Sequence, residues 1–319
     1  MFETFSRSFT LLKESWSVLS KDREILLFPI LSVASTVLLF VPLAIFLYFS
    51  FVGFTSGEAQ LTKSQYDMFM YELYGLGALF LIGTTFLGLF FKAGIITCAH
   101  MRLNGKDPTF TDGVRNASRN FFKILQWAIV SVAVSVILSF IRGRMGMVGS
   151  IISYGVRIAW NFVTFLVMPI LIFENLGIVD SLKKSGQLLK NTWGENIVGR
   201  LSLGLVTGLA VVVGVVIMLG SAILVFSVAP STFGLVIWLS IVAVVIVSLF
   251  AFGLVMEALD GIFMAALYNY AITGKMPVAF SPELVKSAFK TKGEKVRTKQ
   301  SEDEWSDLKG RYGGGLNTV

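Results

Sequence analysis

Ser8-Phe9-Thr10-Leu11-Leu12-Lys13-Glu14-Ser15-Trp16 returns 177 positions later as Ser185-Gly186-Gln187-Leu188-Leu189-Lys190-Asn191-Thr192-Trp193. Each copy stands just upstream of a long apolar run. Self-similarity between halves is a common mark of membrane folds assembled from internal repeats. The repeat therefore speaks to architecture, and it carries no chemistry of its own.

Composition agrees. The 319 residues are 55% hydrophobic and 15% charged, with a mean hydropathy of +0.75. A soluble domain carries nearer ~25% charge. Six stretches approach or exceed the ~20 residues needed to cross a hydrocarbon core. They are Ile25–Gly53, Leu73–Met101, Phe121–Ile141, Met147–Phe173, Ile197–Ser227 and Thr232–Ile272. The connections between them are too short for a soluble domain. The organisation expected is one integral membrane domain over 1–280 and a tail over 281–319, the tail opening with a short helix at Ser281-Pro282-Glu283 and then disordered. Met1–Asp22 lacks the order of charged start, short apolar run and cleavage site that marks a signal peptide, so it is expected to be retained.

Of the 27 Lys and Arg residues, 22 fall in segments 1–24, 102–123, 174–200 and 273–319. The positive-inside rule then places both termini and the even-numbered connections in the cytoplasm. The same bias accounts for the +7 net charge without invoking nucleic acid. A single cysteine, Cys98, cannot form an intrachain disulfide.

Before span one, Phe2, Phe5, Phe9, Leu12, Trp16 and Leu19 form one helical stripe, with Arg7, Lys13 and Glu14 off it. Beside a membrane span this predicts an interfacial helix whose stripe Phe5, Phe9, Leu12 and Trp16 faces lipid. The plainer alternative is packing on the protein's own helix ends. Asp180–Trp193 repeats the pattern, and a looser copy follows Thr111 and Asp112, both candidate N-caps. Asn104-Gly105-Lys106 after span two parallels Thr273-Gly274-Lys275 after span six. The fold expected is an all-α bundle of six transmembrane helices, built from three parallel repeats of an amphipathic interfacial helix and a membrane hairpin.

Trp16 before Phe28-Pro29, Gly105-Lys106 after span two, Pro169 with Glu174 and Gly177 closing span four, and Ser185 to Trp193 give the chain a further likeness. In that order they resemble an uncharacterised family of prokaryotic six-helix membrane proteins, a domain of unknown function. They are more distantly similar to the membrane domain of bacterial glycerophosphodiester phosphodiesterases. The resemblance covers roughly residues 1–280 and implies a cytoplasmic-membrane location. The phosphodiesterase barrel is missing, so its activity does not transfer.

Four charges interrupt the spans: Lys92, Arg157, Glu257 and Asp260. A charge at a helix centre costs ~2.5–3.5 kcal/mol even on insertion scales, so such residues pair, line a pathway, or snorkel to the interface. Glu257 and Asp260 share a helix face, and Asn161 lies one turn from Arg157. Lys92, Arg157, Asn161, Glu257 and Asp260 thus form a candidate polar cluster. Gly204 and Gly208 make a GxxxG element expected to admit a close neighbour. His100 and Cys98 point to different helix faces, and no serine has a histidine base nearby, so no catalytic, metal or cofactor site is expected. Lys286, Lys290, Lys292, Lys295, Arg297 and Lys299 either bind anionic lipid or express positive-inside bias alone. The function expected is a non-catalytic polytopic membrane protein that interacts with lipid or scaffolds a partner. The alternative is a permease or channel lined by the intramembrane charges.

Overall fold

The computed structural model describes residues 13, 15–56, 62–144, 146–193, 199–228 and 232–274, and every regular element among them is helical. Residues 15–21 are helical and lead through a 3-10 turn at Arg23–Leu26 into α1 (Leu27–Ser56). Then come α2 (Lys63–Leu103), α3 (Phe110–Arg119), α4 (Phe121–Arg144), α5 (Gly146–Val163) and α6 (Val167–Phe173). α7 (Ile178–Trp193), α8 (Gly199–Val228) and α9 (Thr232–Thr273) complete the described chain. Six segments are long and apolar enough to cross a membrane: Arg23–Ser50, Lys63–Leu103, Phe121–Arg144, Gly149–Phe173, Val206–Val228 and Thr232–Thr273. They overlie the six runs read from the sequence.

The hydrophobic core is concentrated at one end of the bundle. α2 buries Ala93–Ala99, α9 is buried mainly between Met256 and Asn269, and α6 buries Val167 through Ile172. Val18, Leu19, Ile25 and Phe28 join them from the N-terminal segment, and Leu189 joins from α7. The opposite ends of the same helices are apolar and bare, as at Leu38, Leu79, Val216, Phe233 and Val247. A continuous exposed apolar surface of this kind suits hydrocarbon rather than water. α2 and α9 hold 41 and 42 residues. At ~1.5 Å per residue each is about 60 Å long, twice a ~30 Å hydrocarbon core. α9 spends its extra length at the buried end, hereafter the core end, and α2 extends both into that end and, through the largely exposed polar turns of residues 63–72, beyond its apolar run at the other.

Turns at the core end have local causes. Gly105, at φ 76°, closes α2 in a left-handed conformation that costs glycine nothing. Its N–H donates to the Arg102 carbonyl while Lys106 N–H donates to Met101, which completes a Schellman motif. Gly274, at φ 65°, closes α9 with one bond to Tyr270, and Asn175, at φ 52°, follows α6. Span four is broken, because Pro169 has no N–H for the Phe165 carbonyl and its ring would clash there. The break frees the Leu166 N–H, which donates to the buried Ser185 hydroxyl at 3.1 Å. Ser181, Ser185 and Leu189 are the buried stripe of α7, so Ser185, which opens the second repeat copy, satisfies the broken span.

Phe28 is the most tightly seated ring. A Cβ at Gly94 would lie 2.2 Å from it and one at Gly113 would lie 2.4 Å from it. Phe110 adds a tilted ring at 4.7 Å. Phe28 therefore joins α1, α2 and α3 at a point where only hydrogen atoms fit opposite it.

The structure corrects three expectations. The N-cap of α3 is Thr109, not Thr111 or Asp112, and Asp112 sits at N3 of a capping box whose two halves are both formed. A Cβ on Gly208 would meet nothing within 4 Å, so no neighbour approaches closely at that glycine of the GxxxG element, the surroundings of Gly204 lie outside what is described, and a close approach in α8 falls at Gly214 against Leu249. Of the N-terminal stripe, Phe5, Phe9 and Leu12 lie outside the described residues; Trp16 is 51% exposed, while Leu19 is in the core. Leu19 thus follows the plainer alternative of packing on the protein itself.

Candidate functional site

Among the five polar residues of the candidate cluster, two meet. Lys92 Nζ lies 2.6 Å from Asp260 Oδ2, joining α2 to α9 with side chains 18% and 19% exposed. The helices approach closely here, since a Cβ on Gly261 would fall 2.5 Å from Ile95 Cγ2. Glu257, one turn before Asp260, is half-buried and, among the described residues, makes no ion pair. Arg157 and Asn161 are both exposed on α5, and neither bonds to Glu257 or Asp260. Among the described residues, the intramembrane charges therefore give one ion pair, Lys92 with Asp260, and leave Arg157 and Glu257 outside it.

A second polar set, which the sequence reading did not anticipate, stitches the core end together. Arg102 on α2 donates to Asp22, before α1, and to Asp107, in the connection to α3. Glu174 accepts from Lys184 of α7 and from the Tyr268 hydroxyl of α9, the latter at 3.0 Å. Lys123 Nζ donates to Asn175 Oδ1 at 2.7 Å, and Asn120 donates to the Ile172 carbonyl at 3.4 Å. Asn269 Nδ2 reaches Asn104 Oδ1 at 3.4 Å, and Asn116 donates to Thr97 at 2.9 Å. Each of the two chain-crossing acid–base sets ties two or three elements, so together they fix how the helix ends dock.

The outer surface of this end is basic and partly aromatic. On α3, Arg115, Ser118 and Arg119 are exposed, and Phe122 just beyond is 76% exposed. On α7, Val179, Lys183, Gln187 and Lys190 are exposed along one face. Lys13, Lys21 and Arg23 are exposed nearby in sequence, with Trp16 among them. Acidic groups are interspersed: Glu24 and Asp180 are exposed, Asp107 is bonded to Arg102, and Asp112 is committed to the cap of α3. The Thr109 hydroxyl and then the Thr109 backbone N–H donate to its carboxylate and hold its pKa below the ordinary value. The tail lysines lie outside the described residues.

The His100 ring lies against Phe173, with centroids 4.5 Å apart, and its Nδ1 has no partner. Cys98 is buried, with its Sγ 3.5 Å from the Thr109 carbonyl and beside the Gly113 backbone. Among the described residues no group of three His, Cys, Asp or Glu side chains is placed to hold a metal. A groove of about 660 Å³ lies between α2 and α4, lined by Leu81, Thr85, Ser131 and Ser135 with their neighbours. A smaller hollow of about 550 Å³ is lined by Lys63, Ser64, Asp67, Met68 and Tyr71. Neither includes Lys92, Glu257 or Asp260.

Residues 73–278 match the model of a family described as a family of unknown function, DUF6159. No curated protein and no solved structure matches the chain.

Proposed function

Belonging as it does to that family of unknown function, the chain has no inherited activity to explain, and we propose that it is a non-catalytic polytopic membrane protein whose core end binds anionic lipid at the cytoplasmic face of the membrane. The observation that carries this reading is the outward placement of Arg115, Arg119, Lys183 and Lys190, on two short helices packed beside the ends of membrane-length helices. Near-surface cations are each worth roughly 1 kcal/mol toward an anionic leaflet. Exposed Phe122 and Trp16 supply aromatic groups suited to the headgroup layer.

The core end is cytoplasmic in this reading, because the cation-rich segments gather there. We also read the architecture as three parallel repeats. Supporting this, α3 precedes the hairpin of α4 and α5, α7 precedes that of α8 and α9, and Gly105, Asn175 and Gly274 close the even-numbered spans in the same left-handed conformation. The distant likeness to the phosphodiesterase membrane domain belongs to this reading too; it suits a lipid-facing role and brings no activity. A permease is the second reading, favoured only by half-buried Glu257. Against it, Lys92 and Asp260 offset each other's charge at 2.6 Å.

The test is thermal unfolding in nanodiscs of phosphatidylcholine with and without phosphatidylglycerol. The anionic lipid should raise the midpoint of the wild-type protein, and Arg115→Gln, Arg119→Gln, Lys183→Gln and Lys190→Gln combined should remove most of that rise. An equal rise in the combined variant would refute the lipid-binding role of these faces.

A further inference from the structure

Arg157 is the one charged residue between Gly146 and Phe173, eleven positions after the first and sixteen before the second. It is exposed, and among the described residues it makes no hydrogen bond or ion pair. Glu257 and Asp260, the carboxylates that might have answered it, lie on α9 and do not bond to it. An exposed guanidinium well inside an apolar span is costly unless something outside the protein neutralises it.

The surrounding surface narrows what that something is. Tyr154, Arg157, Ile158 and Asn161 are spaced as one stripe of α5, and all four are exposed, Tyr154 at 67%. Helical side chains lean toward the N-terminus of their helix, so Asn161 leans toward Arg157 and Arg157 toward Tyr154. The stripe thus brings a guanidinium, an amide and a phenol to one place on a face otherwise made of Ile151, Ile158 and similar apolar groups. Guanidinium, amide and phenol all offer N–H or O–H donors, and no carboxylate lies in the span to compete. A guanidinium fork matches the oxygens of a phosphate in bidentate fashion. Apolar flanks beside it suit acyl chains.

We propose that Arg157, with Tyr154 and Asn161, holds the phosphate of a glycerophospholipid against the exposed face of α5. The site is distinct from the basic faces of α3 and α7 and does not depend on them, so either can fail while the other stands. Arg157 is the anchor, and Asn161 and Tyr154 orient the phosphate along the stripe.

The experiment is native mass spectrometry of delipidated full-length protein titrated with dioleoyl phosphatidylglycerol. Wild-type protein should bind one lipid more tightly than the rest, and Arg157→Leu should weaken that step at least about tenfold. Arg157→Lys should fall between them, since an ammonium keeps the charge and loses the fork. Asn161→Leu should weaken the step severalfold, and the combined α3 and α7 variant should retain it. Photo-crosslinking with a headgroup-labelled phosphatidylglycerol should label the peptide around residues 154–161 in wild-type protein, which keeps the test valid if Arg157→Leu folds poorly. Inorganic phosphate should not compete. Unchanged lipid occupancy in Arg157→Leu, crosslinks elsewhere only, or displacement by inorganic phosphate at equal concentration would each overturn the proposal.

Discussion

Removing one partner of the Lys92–Asp260 pair should cost more than removing both. The Nζ to Oδ2 distance is 2.6 Å, and four-fifths of each side chain is shielded. At an effective dielectric near 20 the gross attraction at that distance is about 6 kcal/mol, before desolvation is subtracted. Stranding one charge of a buried pair costs ~3–5 kcal/mol, and partial exposure here argues for the lower end, about 3 kcal/mol for Lys92→Leu or Asp260→Leu. Replacing both should leave stability within about 1 kcal/mol of wild type, because two leucines bring no desolvation cost and pack the same crossing. The coupling energy would then be about 5 kcal/mol if the single losses add, and at least ~2 kcal/mol if the stranded charge finds water. Steric-trap unfolding in bicelles measures all four corners of the cycle. Strict additivity would show that the pair is two interface anchors that happen to touch, and the reasoning about a closed pair would fall with it.

Further outcomes follow from particular contacts. Gly113→Ala should destabilise by about 1–3 kcal/mol through overpacking, because its Cβ would meet Phe28 Cζ at 2.4 Å and Cys98 Sγ at 2.9 Å. Gly208→Ala should be neutral or stabilise by up to ~1 kcal/mol from helix propensity, since open space surrounds it; the same unfolding assay compares the two. Ser185→Ala should cost about 1–3 kcal/mol, because it leaves the Leu166 N–H without its acceptor, while Ser185→Thr should recover part of the loss. The capping box at Thr109 and Asp112 predicts a pH effect whose sign is fixed. Asp112 is more acidic folded than unfolded, so its contribution is present above the ordinary carboxylate pKa and is lost as pH falls through the lowered folded value. Protection of the amides at the start of α3, taken against their intrinsic exchange rates, should therefore fall below about pH 4 in wild type, and Asp112→Asn should remove that acid dependence.

Much of this fold is legible in the sequence because a membrane span is a one-dimensional signal. The run Thr232–Ile272 has the length and composition of a crossing helix whatever its neighbours do, and α9 ends one residue later. Gly105 and Gly274 likewise announce helix ends locally, through a conformation that suits glycine. Lys92 and Asp260 were legible as charges that needed an answer, and the structure joins them. Arg102 with Asp22 was not, because the partners are 80 residues apart and each sits among ordinary surface charges at a span boundary. Glu174 with Lys184 and Tyr268 fails for the same reason: nothing local distinguishes Tyr268 from the other tyrosines near a helix end. The break before Pro169 goes unread because the apolar run Met147–Phe173 is continuous in composition there, and the acceptor for the freed amide, Ser185, is on another helix that only packing brings near. Arg157 shows the converse, since two cations and two anions invited pairing by count, while helix placement leaves one of each without an ion pair among the described residues.

The central claim is that the core end selects anionic lipid through the exposed faces of α3 and α7. Electron spin resonance of spin-labelled phosphatidylglycerol and phosphatidylcholine in reconstituted bilayers measures that selectivity directly, as the ratio of lipid held at the protein surface. The account predicts a ratio clearly above one for wild-type protein, falling toward the level set by the α5 site alone when Arg115, Arg119, Lys183 and Lys190 are all glutamine. It also predicts that raised salt lowers the wild-type ratio, as screening of surface charge requires. A wild-type ratio of one, or a ratio that the four substitutions leave unchanged, would contradict it.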